Sequence, residues 1–332
     1  MRIALDAMGT DHAPAAEVAG AIDALRELAP DIEVVLVGDK ALLDAEVARH
    51  PEAPMERLRV HHAPDRVTAA DAPASVLRRK PDSSVVLGLK LVKAGEADAF
   101  ISAGSTGAVM ATSVITLRPL PGVARPAIGT VLPTARTPCL MLDAGANVDC
   151  KPQHLVQFAH LGNVYAKDLM GIPRPRVALL SIGEEPEKGD EVTLEAHRLL
   201  VSTPGLNFVG NVEGRDIIEG VCDVVVCDGF VGNVLLKFYE SVAGFIIGLL
   251  RRQARHSQEE LDLDEVFRVL DYAEYGGAPL LGVGGVTIIC HGGSSARAIK
   301  NAVGVASRAV RSNMVAHIAR EIAAPAPTES RP

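Results

Sequence analysis

Residues 99–108, AFISAGSTGA, contain the pattern that decides the fold of this chain. A short apolar run ends at Ser102, and a glycine-rich loop leads from it into a helical pattern that begins near Ala108. Apolar runs without polar alternation are typical of parallel strands that are buried on both faces. The segment therefore predicts a strand, a tight turn at its carboxyl end and a helix that packs back onto the sheet.

The same alternation of strand and helix recurs along the chain. Strands are predicted at Ile3–Ala7, Glu33–Val37, Ala99–Ser102, Ala127–Leu132, Cys139–Asp143, Val177–Ile182, Asp223–Cys227 and Val286–Cys290. Helices are predicted at Ala15–Leu28, Val85–Lys93, Leu155–Leu169, Glu191–Leu200, Gly232–Arg252 and Ala296–Arg320. This order predicts the α/β class, with a mainly parallel sheet covered by helices on both faces.

Composition supports a large aliphatic core and excludes several classes of function. The 332 residues are 48% hydrophobic but only 3% aromatic, with no tryptophan and a net charge of -8. Such a chain is too apolar to be disordered. The scarcity of aromatics argues against stacking on single-stranded nucleic acid, and the acidic balance argues against duplex DNA, so no nucleic-acid partner is expected.

We expect one large α/β domain over residues 1–322, with a protruding helical hairpin at about 240–274 and a disordered tail at 323–332. The charged N-terminus has no signal-peptide character. The longest uncharged apolar stretch, Val242–Leu250, is far shorter than a membrane span. Five scattered cysteines without CxxC spacing favour buried thiols in the reducing cytoplasm, with neither a metal site nor a disulfide. A cytoplasmic protein that at most lies on a membrane is therefore expected.

Five of the predicted strands end in small or polar residues followed by glycine. Because ligands bind at the carboxyl ends of strands in open α/β sheets, these ends predict one shared polar site. Tight turns alone would also explain each glycine.

The loop Ser102–Gly107 is suited to binding phosphate. Its glycines allow backbone amides to approach an anion at a helix N-terminus, and Ser105 and Thr106 add hydroxyl donors. No Walker lysine follows at the required spacing. The alternative is a simple helix cap, which would also favour serine and threonine.

Two further loops place charged side chains after strands. Asp143, Asn147 and Lys151 recur at intervals of four residues, and they would either bind a ligand or pair with one another. Lys188 is the only cation among the acidic residues of 184–191, where it would hold an anion or simply reduce repulsion between the carboxylates.

Asn233 and His291 complete the candidate site. Asn233 lies near the start of a predicted long helix, where it would meet the crevice or act as a cap. His291 follows a strand and is the best single candidate for proton transfer or contact with phosphate. The sequence lacks the Gly-x-Ser-x-Gly elbow, so covalent catalysis is not indicated.

Taken in order, these motifs resemble the phosphate acyltransferase family of bacterial phospholipid synthesis, the PlsX family. The matching segments are Ile3–Gly9, which includes Asp6, then Ser102–Gly104, Gly145–Asp149, Gly210–Asp216, Cys227–Asn233 and Tyr275–Gly282. They span nearly the whole chain.

The resemblance implies a Rossmann-like α/β/α sandwich, similar to phosphate acetyltransferases, that works as a homodimer without a cofactor. It implies transfer of a long-chain fatty acyl group from acyl carrier protein to inorganic phosphate. A membrane glycerol-3-phosphate acyltransferase then consumes the acyl phosphate.

On this basis we assign roles to the candidate residues. Lys188, Asn233 and His291 are the catalytic candidates: Lys188 holds phosphate, Asn233 stabilises the oxyanion and His291 protonates the leaving thiolate. The substrate-binding candidates are Asp6, Ser105, Thr106, Asp143, Asn147 and Lys151.

Two basic clusters could dock the acidic carrier protein, the first around Arg78 and Arg79 and the second around Arg251, Arg252 and Arg255. Leu249 and Leu250, which precede the second cluster, suit contact with an anionic membrane surface. The same leucines could instead pack in a dimer interface.

Two other functions stay open at this stage. One is a phosphotransacetylase-like enzyme that uses a short acyl-CoA, and the other is a non-catalytic ligand-binding module. A long apolar groove would favour the carrier-linked donor over both.

Overall fold

The computed structural model describes residues 1–68, 70–254 and 275–323. Its strands are β1 Arg2–Asp6, β2 Glu33–Gly38, β3 Leu58–His62, β4 Ala99–Ser102, β5 Ala127–Leu132, β6 Cys139–Leu142, β7 Arg176–Leu180, β8 Asn207–Val212, β9 Val224–Val226, β10 Ala278–Leu281 and β11 Val286–Ile289. The helices are α1 Ala15–Glu27, α2 Lys40–Val47, α3 Val76–Arg79, α4 Ser84–Lys93, α5 Thr106–Leu117, α6 Pro152–Asp168, α7 Glu191–Val201, α8 Gly214–Glu219, α9 Gly229–Ala254, α10 Ala296–Arg311 and α11 Met314–Ala323. A short 3-10 turn, Pro73–Ser75, precedes α3.

The described strands form one sheet in the order β3-β2-β1-β4-β11-β10-β5-β6-β9-β7-β8. The pairings of β10 with β11, β10 with β5, and β5 with β6 are antiparallel, and the others are parallel. The predicted class, a mainly parallel sheet within α/β layers, is therefore confirmed.

Successive residues of the inner strands face two hydrophobic clusters, one on each side of the sheet. Ile3 and Leu5 of β1 lie in one cluster, and Ala4 between them lies in the other. All three are fully buried. Burial on both faces explains why these strands are apolar throughout rather than alternating.

The long helix predicted at Ala296–Arg320 is two helices, α10 and α11. Asn313, between them, has a φ of +56°, a left-handed conformation that ends a helix and that asparagine tolerates better than most residues. The apolar period continues through the break, so the pattern alone could not reveal it.

Of the predicted hairpin at about 240–274, the structure describes only the part that lies in α9, which is described to Ala254; residues 255–274 lie outside the described residues. Residues 324–332, in the predicted tail, also lie outside them. By length and composition Gly229–Leu250 could cross a membrane, with a mean hydropathy of 1.5. Lys237 and Glu240 interrupt the apolar run, so the longest uncharged stretch is much shorter than this segment.

Candidate active site

A crevice of about 420 Å³ lies over the central strands β5 and β10. Thr106 and Gly107, which begin α5, and His291, which follows β11, line it from one parallel block of the sheet. Gly145, which follows β6, and Asn233 of α9 line it from the other block. Three antiparallel pairings separate the two blocks, so their strands run in opposite directions. Their carboxyl ends therefore approach the crevice from opposite sides rather than sharing one edge.

The amides at the start of α5 are available to an anion in this crevice. Ser105 occupies the N-cap position, yet its side chain makes no capping hydrogen bond. The first amides of a helix have no partner within the helix and carry the positive end of its dipole. This arrangement favours the phosphate interpretation over the simple cap. Ser105 is half-buried and Thr106 is exposed.

Asp143 and Asn147 bind to each other and organise their own loop. The Asp143 carboxylate accepts hydrogen bonds from the backbone amides of Ile128, Gly145, Ala146 and Asn147, and from Nδ2 of Asn147. Asn147 Nδ2 also donates to the carbonyl of Pro126. Burial raises the pKa of Asp143, and these donors oppose that rise. Both side chains are buried in a structural network, and neither is directed toward the crevice.

This loop holds the start of α9 in contact with it. The amide of Gly229 donates to the carbonyl of Asn147 at 2.7 Å. A Cβ atom at Gly232 would clash with the carbonyl oxygen of Asp143, so only glycine permits this approach. The Asp143 network therefore positions Asn233, whose side chain packs against Gly145.

Asp6 lies behind the loop Ser102–Gly107 rather than inside the crevice. It is fully buried, and Ser102 Oγ donates to its carboxylate at 2.6 Å. Ser102 Oγ in turn accepts from the amide of Gly104. Burial raises the pKa of Asp6 above its ordinary value, and the hydrogen bond from Ser102 offsets only part of the rise. Asp6 thus supports the turn that leads into α5.

The two predicted lysines, Lys151 and Lys188, do not line the crevice. Lys151 is exposed at the start of α6, and the described residues form no ion pair with it. Lys188 is exposed too, with its stem against Gly183. Its loop lies beside a second cavity of about 440 Å³, which Ser181, Ile182, Gly189 and Asp228 help to line. The predicted strand ends are therefore divided between two cavities.

The surface candidates are likewise separated. Arg78 and Arg79 are exposed on α3, beside the start of α5, where Pro73 packs near Gly107. Leu249 is exposed, Leu250 is half-buried and Arg252 is exposed near the end of α9. The side chain of Arg251 and all of Arg255 lie outside the described residues.

Sequence reasoning missed Lys237, Tyr239 and Glu240, which also line the crevice. Lys237 lies four residues after Asn233, so the helical period places both on one face of α9. That spacing could have identified a second cation near the site.

Glu17 is a buried carboxyl that sequence reasoning also missed. It accepts hydrogen bonds from the backbone amide and the hydroxyl of Thr10, at 2.7 and 3.0 Å. Its place on the buried face of α1, four residues before Ala21, could have revealed it. Burial raises the pKa of Glu17 from 4.5 to about 7, with the Thr10 hydrogen bonds opposing the rise.

We expect this carboxyl to make the protein less stable as the pH rises from about 4.5 to about 7. The folded state holds the Glu17 proton more tightly than the unfolded chain does, so its contribution is complete at low pH and is lost through this window, by about 3 kcal/mol. Glu17→Gln keeps both Thr10 contacts, since a hydroxyl also accepts, and should remove this part of the pH dependence.

Urea unfolding at pH 5 and pH 8 measures the effect. Glu27→Gln, on the exposed side of the same helix, serves as the control and should retain the dependence of the original protein. An equal loss of stability between the two pH values in the original protein and in Glu17→Gln would contradict the assignment.

The fold and the crevice together define an α/β protein in which a helix N-terminus, an amide and a histidine surround one cavity. Structural comparison agrees on the fold: a EutD phosphotransacetylase from Staphylococcus aureus gives a TM-score of 0.64 at 17% identity, covering 93% of this chain and 94% of the other. A phosphotransacetylase from Streptococcus pyogenes also gives 0.64, at 18% identity, with 94% of each chain covered.

Sequence comparison then identifies the family. The profile described as "Fatty acid synthesis protein" matches residues 1–317. The phosphate acyltransferase of Desulforamulus reducens is 48% identical over 322 residues, covering 95% of both chains. That of Geobacter sulfurreducens is 47% identical over 330 residues, covering 97% of this chain and 94% of the relative. The chain belongs to the phosphate acyltransferase family, as its motifs predicted, and is an acyltransferase.

Proposed function

We propose that the protein transfers a long-chain acyl group from acyl carrier protein to inorganic phosphate. The observation that carries the proposal is that the uncapped start of α5 shares one crevice with Asn233 and His291. An apolar groove adjoins this crevice, which favours a long acyl chain over acetyl.

In the proposed reaction a phosphate oxygen attacks the thioester carbonyl carbon. A new C–O bond forms, the carbonyl oxygen becomes an oxyanion, and the C–S bond then breaks. The amides of α5 and the hydroxyl of Thr106 hold phosphate, while Asn233 donates to the oxyanion. His291 supplies the proton to the departing thiolate. Phosphate is itself nucleophilic at neutral pH, so the protein mainly positions the reactants.

Lys188 remains a proposed catalytic residue from its own loop. The loop of Lys188 carries acidic residues that repel phosphate, and the ammonium group of the lysine would offset this repulsion and attract the anion. Ser105 and Lys151 remain proposed phosphate contacts, whereas the buried network of Asp143, Asn147 and Asp6 supports positioning better than direct contact.

The decisive experiment detects the acyl phosphate by mass spectrometry. Protein is mixed with inorganic phosphate and either palmitoyl acyl carrier protein or acetyl-CoA. We expect palmitoyl phosphate from the carrier-linked donor. Acetyl phosphate from acetyl-CoA alone would favour the phosphotransacetylase function. Absence of phosphate-dependent thioester cleavage with either donor would favour a binding module.

For the carrier protein we propose docking at Arg78 and Arg79. Both are exposed beside the start of α5, whereas Lys80 is engaged by Asp71 at 2.7 Å. Arg252 lies nineteen residues beyond Asn233, or about 28 Å along α9. The α3 cluster therefore lies nearer to the reacting atoms.

Reversing both charges, Arg78→Glu with Arg79→Glu, should raise KM for palmitoyl acyl carrier protein about tenfold and weaken its dependence on salt. The measurement is steady-state kinetics at several ionic strengths. Arg252→Glu is the matched control and should leave KM unchanged. If only the control variant raised KM, the docking surface would lie at the end of α9.

We also propose a homodimer, acting in the cytoplasm, that meets an anionic membrane surface through the end of α9. Delivery of the acyl phosphate to a membrane glycerol-3-phosphate acyltransferase would benefit from that contact. Phe245 and Leu249 are 63% and 43% exposed, which supports an apolar contact at this place.

Leu249→Glu with Leu250→Glu should abolish sedimentation of the protein with anionic vesicles, because two carboxylates oppose both burial and the surface charge. Soluble activity and the dimer should persist. Neutral vesicles are the control for charge. Dissociation into monomers would instead show that these leucines form the subunit interface.

A further inference from the structure

An apolar groove of about 610 Å³ runs along α9 beyond the crevice. One wall is α9, and the other combines α8 with the loop 132–135. The amide of Ala135 donates to the carbonyl of Ile218, which ties this loop to α8. The groove therefore has walls made of three connected elements rather than one isolated helix face.

The lining is almost entirely hydrocarbon. It comprises Leu132, Pro133, Thr134, Ala135, Gly214, Ile217, Ile218, Leu235, Phe238, Tyr239, Val242, Ala243 and Ile246. The hydroxyl of Thr134 donates to the carbonyl of Thr137 and so is already satisfied. A groove of this chemistry favours an apolar occupant without hydrogen-bonding groups.

The groove is continuous with the crevice, because Leu132, Pro133 and Tyr239 line both. Tyr239 marks the boundary, with a ring that suits the apolar side and a hydroxyl that suits the polar side. Burial raises the pKa of this hydroxyl to about 12, so it stays protonated as a donor. A molecule with a polar reacting end and an apolar chain would fit across this boundary.

The length of the groove matches a long chain. Ile246, at its far end, lies thirteen residues beyond Asn233, which is about 20 Å along the helix axis. That distance suits an extended long-chain acyl group and far exceeds an acetyl group. Ala243 is buried in the wall roughly three-quarters of the way along, and its small side chain leaves the path open.

We propose that the acyl chain of the donor lies in this groove and that Ala243 sets the length that it accepts. This inference rests on the proposed acyl transfer, and it adds the path of the chain and the residue that limits it. The thioester lies at the crevice, the first methylenes pass Tyr239, and the remainder of the chain lies between α9 and α8.

The series Ala243→Val, Ala243→Leu and Ala243→Phe tests the proposal by progressive filling. We expect the ratio of kcat/KM for palmitoyl over butyryl acyl carrier protein to fall in that order. The ratio should fall by at least about tenfold for phenylalanine, because the larger side chain would displace a few terminal methylenes of the palmitoyl chain from the apolar groove. Ser241→Phe, on the exposed side of the same helix, is the matched control and should leave the ratio unchanged.

A second measurement does not depend on turnover. The chain has no tryptophan, so a single introduced tryptophan reports on one place. Phe238→Trp places the reporter in the groove lining, and Phe230→Trp places it at an exposed position outside that lining. Brominated palmitate should quench the first and not the second.

The outcomes separate the two proposals. If the protein forms acyl phosphate but the series leaves the ratio unchanged, the groove assignment alone is wrong. Quenching at Phe238→Trp without formation of any acyl phosphate would contradict the proposed function but would support the groove as a binding site for acyl chains. A change of oligomeric mass across the series, by light scattering, with no quenching would assign the groove to a subunit interface and overturn the proposal.

Discussion

Asn233→Ala is expected to lower kcat by about 10²–10³-fold, the usual effect of removing one donor from a developing oxyanion. Asn233 lines the crevice together with Thr106 and His291, and its side chain packs against Gly145. The amide would act mainly in the transition state, so KM for phosphate should change much less than kcat. Steady-state kinetics with palmitoyl acyl carrier protein measures both.

Val234→Ala is the matched control, because Val234 is the next residue of α9 and its side chain is exposed. It should retain normal turnover. The thermal unfolding midpoints of both variants should stay close to that of the original protein, since neither substitution empties the core. An Asn233→Ala variant with normal kcat would remove Asn233 from the chemistry.

Asp143→Asn is expected to destabilise the protein by about 3–5 kcal/mol. Backbone amides donate to both oxygens of the Asp143 carboxylate. The NH₂ group of an asparagine would replace one of these oxygens, and the amides that donate to it would lose their acceptor. Each buried donor left without a partner costs about 1–3 kcal/mol. The free energy of unfolding in urea measures the loss.

The same substitution should also lower turnover, because the Asp143 loop supports the start of α9 and therefore Asn233. Asp149→Asn provides the control, as this carboxylate belongs to the same loop but is exposed. Unchanged stability in Asp143→Asn would show that the network tolerates an amide and that the loop is held by other contacts.

The secondary structure of the inner strands was largely predictable from local patterns. Ala99–Ser102 and Ala127–Leu132 were predicted with the observed bounds. Strands β3, β8 and β10 were missed. Two of them are the sheet edges, which contain polar residues such as His61 and Asn211, and β10 contains Pro279. Edge strands are not buried on both faces, so the continuous apolar run that identifies inner strands is absent from them.

The antiparallel pairing of β5 and β6 could have been predicted from the length of the connection between them. Only six residues separate Leu132 from Cys139, whereas a parallel crossover requires a dozen or more. This short connection excludes a parallel pair and would have revealed that β5 and β6 run in opposite directions.

By itself, the sequence determined the fold class, the family and the loops that follow the strands, because these depend on local periodicity and on short motifs. Only the tertiary structure decided which of these loops share a cavity. Thr106, Asn233 and His291 come from distant parts of the chain and meet across β5 and β10. Asp143 and Asn147, by contrast, are buried and hydrogen-bonded to each other, although their sequence pattern suits ligand binding equally well. A motif specifies what a side chain can bind, but long-range strand pairing and packing determine whether its polar atoms face a cavity or are used by the protein itself.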